Sequence, residues 1–229
     1  MSKKANQANC LVIDSGLASY REAFAFQKRE VERVQSGGDE VLILLEHPHV
    51  ITLGRNATRE ALVAGDTEIA RRGVEVIDTD RGGDVTYHGP GQLVGYPILA
   101  LEPGRRDIRR YVHDLEEVLM RSLAGFGIES QRHPVHRGVW AGDKKIASLG
   151  IRISRWVTCH GFALNVDTDL GYYSLINPCG IAGCEMTSMA IELGGEVAMG
   201  EVKSTIISQF ASVFGRNMIT ENVGAVARG

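Results

Sequence analysis

The stretch VWAGDKKIASLGIRISRWVTCHGFALNV, from Val139 to Val166, decides the fold. It predicts short strands at Val139-Trp140, Lys145 to Leu149, Ile151 to Ser154 and Phe162 to Val166, with a turn at Gly142-Asp143. Ile151 and Ile153 alternate with Arg152 and Ser154, which is the pattern of a half-buried strand. The whole stretch therefore predicts an antiparallel meander.

On either side of this meander, strands and helices follow one another without regular alternation. Further strands are predicted at Val41 to Leu45, Val74 to Ile77 and Leu93 to Ile98. Helices are predicted from the capping box Ser19-Tyr20-Arg21-Glu22 to Gly37-Gly38, from Asp107 to Gly125, and from Val202 to Phe214. This order favours an α+β fold with helices on one side of the sheet. Because the chain has 229 residues and no Pro-rich linker, we predict a single domain over residues 1–229, with a core at about residues 11–215.

Composition and charge exclude several classes of protein. Hydrophobic residues make up 44% and charged residues 23% of the chain, as in ordinary folded domains. The net charge of -3 gives no overall basic surface for nucleic acid. Arg105, Arg106, Arg109 and Arg110 are typical of a solvated helix face, with a local basic patch as the alternative. Since no apolar stretch has the length of a signal peptide or a membrane span, we expect a cytoplasmic protein.

The segment RGGDVTYHGPGQ, Arg81 to Gln92, combines glycines with polar side chains. Glycine allows close approach of the backbone to a ligand, so the segment is a candidate binding loop. A hairpin with glycine turns explains the composition equally well. The spacing matches neither the dinucleotide fingerprint nor the phosphate loop of nucleotide-binding proteins.

Cys179 is the best candidate for a nucleophile among the four cysteines, which are too irregularly spaced for a disulfide framework. It lies between Pro178 and Gly180, in a turn that favours an exposed, reactive thiolate. Cys10 and Cys159 lie in apolar or extended segments typical of packed core thiols. A thiolate also needs a basic neighbour, and the local sequence leaves Lys144, Lys145, His88 and His160 as candidates.

Four motifs together resemble the octanoyltransferases of lipoate biosynthesis. They are RGGDVTYHGPGQ at residues 81–92, KIASLG at 145–150, HGFALNV at 160–166 and PCGI at 178–181. The resemblance runs in order from about Val12 to Ile191. It implies one domain of the biotin/lipoate protein ligase type, with a mixed sheet and flanking helices. It also implies transfer of an octanoyl group from acyl carrier protein to a lysine of a lipoyl domain, with no ATP, metal or other cofactor.

The resemblance assigns roles to particular residues. Cys179 matches the cysteine that carries the acyl thioester, and Lys145, not Lys144, matches the lysine that handles its protons. The segments that match the family's acyl pocket contain Arg81, Gly82, Gly83, Asp84, Val85, Thr86, Tyr87, His88, Ser148, Leu149, Gly150, Gly161, Phe162 and Ala163. The implied acceptors are the lipoyl domains of 2-oxoacid dehydrogenase complexes or the glycine cleavage H protein.

Two other functions compete with this interpretation. An ATP-dependent lipoate or biotin protein ligase of the same fold forms an acyl-adenylate and needs no cysteine. A non-catalytic module would bind acyl carrier protein without turnover and would leave Cys179 inert. The turn Pro178-Cys179-Gly180 and the ending Gly89-Pro90-Gly91-Gln92 favour the transferase over the ligase.

Overall fold

The computed structural model describes residues 8–177 and 184–220. The strands are β1 (Ala8–Leu17), β2 (Glu40–Glu46), β3 (Val50–Leu53), β4 (Glu75–Asp78), β5 (Val85–His88), β6 (Gln92–Ile98), β7 (Gln131–Arg132), β8 (Val139–Ala141), β9 (Lys144–Ser154), β10 (Val157–Asn165) and β11 (Arg216–Thr220). The helices are α1 (Tyr20–Gln35), α2 (Asp66–Arg71), α3 (Ile108–Gly125), α4 (Met189–Leu193) and α5 (Met199–Phe214), with short 3₁₀ helices at Arg59–Ala61, Pro103–Arg105 and Leu170–Leu175. The predicted helices and strands are confirmed, except that β9 joins two strands predicted separately.

The described residues form a large mixed sheet and a small one. The strand order of the large sheet is β11-β1-β2-β6-β10-β9-β8-β7, and that of the small sheet is β4-β3-β5. In the large sheet β1 runs parallel to β2 and β11, whereas β6, β10, β9 and β8 follow one another antiparallel. The predicted antiparallel meander is thus confirmed, and it forms one half of the large sheet.

Helices cover both faces of the large sheet. On β2, Leu42 and Leu44 pack in the same core cluster as α3 and α5, while Ile43 packs with α1 on the opposite face. The expectation of helices on one side is therefore wrong. The physical reason is visible in β2, because five consecutive apolar residues from Val41 to Leu45 need cover on both faces of the strand.

Two of the three long helices, α1 and α3, begin at side-chain caps. Ser19 accepts the backbone N–H of Glu22 at the start of α1, as the capping box predicts. Asp107 accepts the N–H groups of Arg109 and Arg110 at the start of α3. None of the described helices is long and apolar enough to cross a membrane.

The loop before β5 lies against the free edge of β9, beyond the point where β8 ends. The N–H of Gly82 donates to the carbonyl of Ile151 at 2.8 Å. A Cβ on Gly150 would lie 2.9 Å from the carbonyl oxygen of Gly82, so only glycine at 150 allows this approach. The contact places the glycine-rich segment over the meander.

Candidate active site

A cavity of about 310 Å³ lies between the large sheet and the glycine-rich segment. It opens on the α1 face of the sheet, where β6 and β10 contribute Val94, Tyr96 and Ala163. The lining residues are Tyr20, Asn56, Arg81, Gly83, Asp84, Val85, Thr86, His88, Val94, Tyr96, Val135, His136, Arg137, Lys145, Ser148, Leu149, Gly150, His160, Gly161, Phe162 and Ala163. Three of the four motifs thus meet at one place.

Most residues assigned by the resemblance line this cavity, and three assigned residues need separate mention. Lys145 lines the cavity together with the assigned residues of β9 and β10 and with six of the eight assigned residues from 81 to 88. Gly82 and Tyr87 are not among the lining residues. Cys179, the predicted nucleophile, lies outside the described residues.

Tyr87, which the resemblance assigns to the acyl pocket, does not line this cavity. Its ring is fully buried in a separate cluster, stacked on Tyr172 with ring centroids 5.1 Å apart, and its hydroxyl lies 2.7 Å from Nδ1 of His49. The reason is the alternation of strand β5, in which Thr86 and His88 face the opposite way. Gly82 instead supports the cavity wall through its backbone bond to β9.

A β-bulge in β9 directs Lys145 into the cavity. Trp140 pairs with Lys145 whereas Val139 pairs with Ala147, so Ile146 is an extra residue in the ladder. In a regular strand Lys145 and Ser148 would lie on opposite faces, but the bulge brings both to the cavity wall. Ile146 and Ala147 are both fully buried in the core.

The two neighbouring lysines have different surroundings. Lys145 is 2% exposed, whereas the Lys144 side chain is 44% exposed and pairs with Glu185 at 3.4 Å. The backbone of Lys145 accepts from the N–H of Thr187 and donates to the carbonyl of Glu185, both at 2.9 Å. The segment that follows Cys184 is therefore fixed alongside the lysine of the cavity wall.

Gly138 makes room for the Lys145 side chain. A Cβ at Gly138 would lie 2.5 Å from Cε of Lys145, and the backbone there has φ of 129°, which disfavours any other residue. Its N–H donates to Oε1 of the buried Glu116 at 3.2 Å, while Arg132 lies 3.3 Å from Oε2. Helix α3 thereby fixes the glycine against which the lysine packs.

Behind the cavity wall, His47 packs against His88 with ring centroids 5.7 Å apart and makes two hydrogen bonds of its own. Nδ1 of His47 donates to the carbonyl of Ala18, and Nε2 accepts the hydroxyl of Tyr96, both at 2.7 Å. Burial lowers the pKa of His47 to about 4. Burial also holds the pKa of His88 well below its usual range, so both imidazoles are neutral at pH 7.

His160 pairs with a carboxylate at the edge of the same wall. Its Nε2 lies 2.8 Å from Asp80, and the hydrogen bond between them lowers the pKa of the Asp80 carboxyl. Asp80 also pairs with Arg152. Burial is the larger effect on His160 itself and lowers its pKa. Its backbone has φ of 60°, and Gln27 accepts its N–H at 2.9 Å. His160 is thus held rigidly and carries no charge at neutral pH.

Comparison with known proteins decides the family. The sequence model of the lipoyl protein ligase A/B catalytic domain matches residues 19–211. The chain is 48% identical over 212 residues to an octanoyltransferase of Solibacter usitatus, covering 92% of this chain and 96% of that protein. It is 49% identical over 206 residues to an octanoyltransferase of Myxococcus xanthus, covering 87% of this chain and 58% of that protein.

The chain belongs to the octanoyltransferase family. It is an acyltransferase, and the resemblance drawn from the four motifs is confirmed. The fold is also confirmed by a crystal structure of lipoate-protein ligase A bound with ATP, which matches with a TM-score of 0.78 at 18% identity and covers 94% of this chain and 90% of that one.

In an acyltransferase the burial of a cysteine matters, because a buried thiol stays protonated and is a poor nucleophile. Burial raises the pKa of Cys10 to about 12 and that of Cys159 to about 11, so both remain thiols at neutral pH. The prediction that they are core thiols is confirmed. Cys184 is partly exposed. Within the described residues no group of His, Cys, Asp and Glu is arranged to hold a metal ion.

Sequence reasoning missed several residues of the cavity wall. Tyr20 and Tyr96 enter it from α1 and β6, and His136 and Arg137 from the segment before β8. The alternation of β6 could have indicated Tyr96, since it shares a face with Val94. Nothing in the local sequence indicates that the start of α1 reaches the site.

Proposed function

We propose that the chain transfers an octanoyl group from octanoyl-acyl carrier protein to a lysine amine of a lipoyl domain, through a thioester on Cys179. Octanoyl transfer in protein lipoylation follows from family membership. The carrier-protein donor and the thioester are the proposed parts. The observation that supports them is Lys145, a buried lysine in a cavity wall, whose backbone pairs with Glu185 only six positions after Cys179.

The reaction proceeds in two balanced steps. The Cys179 thiolate attacks the carbonyl of the donor thioester, the carbon–sulfur bond to the carrier breaks, and the carrier thiolate takes a proton from the Lys145 ammonium. The acceptor amine then attacks the acyl-enzyme and loses a proton to the Lys145 amine, and Cys179 leaves as a thiolate. The net change is a thioester exchanged for a more stable amide.

The cavity wall suits an acyl chain. Val94, Leu149, Phe162 and Ala163 supply apolar surface, and the nearby histidines are neutral. We assign acyl-chain contact to the lining residues between 81 and 88 and to those of β9 and β10.

The lipoyl domains of 2-oxoacid dehydrogenase complexes and the glycine cleavage H protein are the proposed acceptors. We further propose that the protein is cytoplasmic and that it has one catalytic domain. The single domain is supported by one large sheet and by a family match over residues 19–211.

Intact mass spectrometry tests the thioester. After incubation with octanoyl-acyl carrier protein, the enzyme should gain one octanoyl group, and hydroxylamine should remove it. Cys179→Ala should gain nothing, while Cys184→Ala, the matched control five positions away, should be acylated like the wild type. An unchanged adduct in Cys179→Ala overturns the assignment.

The same assay separates the transferase from an ATP-dependent ligase. Free octanoate with ATP and magnesium should give no modified lipoyl domain. Modification under those conditions, without acyl carrier protein, would replace the proposed donor by the free acid. Binding of acyl carrier protein with no acyl transfer would identify a non-catalytic module.

A further inference from the structure

A buried cluster of amide side chains lies behind the cavity, at the ends of two motifs. Gln92 begins β6 and Asn165 ends β10, and both are at most 1% exposed. Nε2 of Gln92 donates to Oδ1 of Asn165 at 2.9 Å. Their other bonds reach His88 in the cavity wall, Tyr173 in a 3₁₀ helix and Thr187 before α4. The two amides thus join four separate segments.

Backbone carbonyls fix the orientation of both amides. The carbonyl of Thr187 can only accept, so Nδ2 of Asn165 faces it at 3.0 Å, and Oδ1 faces Gln92. Gln92 must then donate through Nε2, which also lies 3.2 Å from the carbonyl of Tyr87. Its remaining Oε1 accepts from Nδ1 of His88 at 2.7 Å.

This orientation determines the tautomer of His88. Since Oε1 of Gln92 can only accept, Nδ1 of His88 carries the proton. Burial keeps the ring neutral by lowering its pKa, and Nε2 is therefore the unprotonated nitrogen. Three hydrogen bonds of fixed direction thus link the carbonyl of Thr187, through Asn165 and Gln92, to His88 in the cavity wall.

The same two amides bind the chain on both sides of Cys179, at Tyr173 before it and at Thr187 after it. We call these two stretches the stems of the Cys179 segment. Before it, the hydroxyl of Tyr173 lies 3.1 Å from Nε2 of Gln92 and 3.3 Å from Oδ1 of Asn165. After it, Asn165 binds the carbonyl of Thr187, whose N–H donates to the carbonyl of Lys145 at 2.9 Å. Side-chain amides on β6 and β10 therefore tie the two stems to each other and to the lysine strand.

We propose that Gln92 and Asn165 are positioning residues for acyl transfer, which hold both stems of the Cys179 segment in register with Lys145. The inference rests on the proposed thioester function. Neither amide lines the cavity, so each acts through the segments that it binds. Displacement of a reacting group by about 1 Å costs on the order of 100-fold in rate. A change that removes the bonds from these amides to the stems, but keeps the acceptor of Gln92 for His88, leaves the cavity wall in place. Such a change should therefore lower kcat and leave KM nearly unchanged.

The sharpest variants exchange an amide for a carboxylate of the same shape. Asn165→Asp loses the donor to Thr187 and places a second acceptor against its carbonyl. Gln92→Glu keeps the acceptor for His88 but loses both hydrogens toward Asn165 and Tyr173. We expect each to lower kcat for octanoyl transfer by roughly 100-fold with KM for the donor within about threefold. Tyr173→Phe, which removes only one hydroxyl, should lose about tenfold.

Thr158→Val is the matched control on the same strand. Thr158 is fully buried, donates to the carbonyl of Pro97 at 2.7 Å and accepts from Leu99 at 2.9 Å, so its loss also removes two buried hydrogen bonds. It lies at the other end of β10 from Asn165 and should lower the urea midpoint without lowering kcat.

The outcomes separate the inference from the function on which it rests. If the wild type gains no octanoyl group, the proposed thioester fails. If the wild type is acylated and the carboxylate variants lose kcat while Thr158→Val does not, the positioning role is supported. Wild-type kcat in Asn165→Asp or Gln92→Glu overturns it. An equal loss in Thr158→Val also overturns it, because the effect would then be one of general stability. Should the carboxylate variants not fold, Tyr173→Phe decides by the same criteria.

Discussion

Lys145 and Lys144 are adjacent residues of the same type, yet only Lys145 lines the cavity. The bulge at Ile146 directs Lys145 inward, and Lys144 stays half exposed beside Glu185. We expect Lys145→Ala to slow octanoyl transfer by at least 100-fold, as loss of a general acid or base does, and Lys144→Ala to change it less than threefold. Steady-state rates with a lipoyl-domain acceptor measure both. Equal losses would assign the proton transfer to another group.

Gly138 gives a second test at the scale of one residue. Gly138→Ala places a methyl group on Cε of Lys145 and on the carbonyl oxygen of Ala147, so the amine must move and kcat should fall by roughly tenfold or more. Gly127 also has positive φ, but open space surrounds it, and Gly127→Ala therefore carries backbone strain alone. A fall in kcat of the same size in both variants would show that strain, not the position of Lys145, is responsible.

The sequence predicts the surroundings of a single residue well where its chemical neighbours determine them, and poorly where the three-dimensional course of the backbone does. Burial of Cys10 and Cys159 follows from their apolar or extended surroundings and is confirmed. The choice of Lys145 over Lys144 needs the bulge, which the local sequence does not indicate. Tyr87 belongs to a motif that lines the cavity but does not line it itself, because a motif does not reveal which face of a strand each of its residues occupies. That depends on the alternation of β5.

At the scale of elements, long periodic segments were predictable, whereas two of the short strands, β3 and β5, were not. The pattern of α3 extends over five turns and has a cap, so local sequence suffices. β3 has four residues and forms only because β4 and β5 supply partners from distant parts of the chain. β5 lies inside the glycine-rich segment, where a loop or a local hairpin was expected. Its actual partner is β3, more than 30 residues earlier.

Helix α1 offers a test of an element that local sequence does determine. Ser19 caps its first turn, and Tyr20, its first residue, lines the cavity. Ser19→Ala should lower the free energy of unfolding by about 1 kcal/mol, because the N–H of Glu22 loses its partner. Thr58→Ala is the control, since Thr58 precedes a 3₁₀ helix without accepting a backbone N–H. Urea unfolding at neutral pH measures both, and equal shifts would argue against the cap.

For the whole molecule, the fold brings together three buried histidines at or directly behind the cavity wall, and burial lowers the pKa of each. They are His47, His88 and His160, drawn from the loop after β2, from β5 and from β10. Their proximity could not be predicted from sequence, because they lie in three distant segments of the chain and only the fold brings them together. A site of neutral rings suits an acyl chain, but it makes the fold sensitive to acid.

The sign of that sensitivity follows from proton linkage. In the unfolded chain each histidine takes up a proton as the pH falls through about 6.5, whereas native His47 resists protonation down to a pKa of about 4. The unfolded state then binds more protons, so stability falls with pH by about 1.4 kcal/mol per pH unit for each such histidine. Because the pKa of the Asp80 carboxyl is lowered, its contribution to the free energy of unfolding is lost only at more acidic pH.

Urea unfolding between pH 6.5 and pH 5 therefore isolates the histidines. We expect the free energy of unfolding to fall by about 1 to 4 kcal/mol per pH unit in this window, depending on how many of the three stay neutral. His47→Gln preserves a donor for Ala18 and an acceptor for Tyr96 but cannot titrate, so its slope should be smaller by about 1 kcal/mol per pH unit. If wild type and His47→Gln gave the same slope, His47 would be protonated in the native state. Only His88 and His160, whose pKa values burial lowers, would then remain as neutral rings.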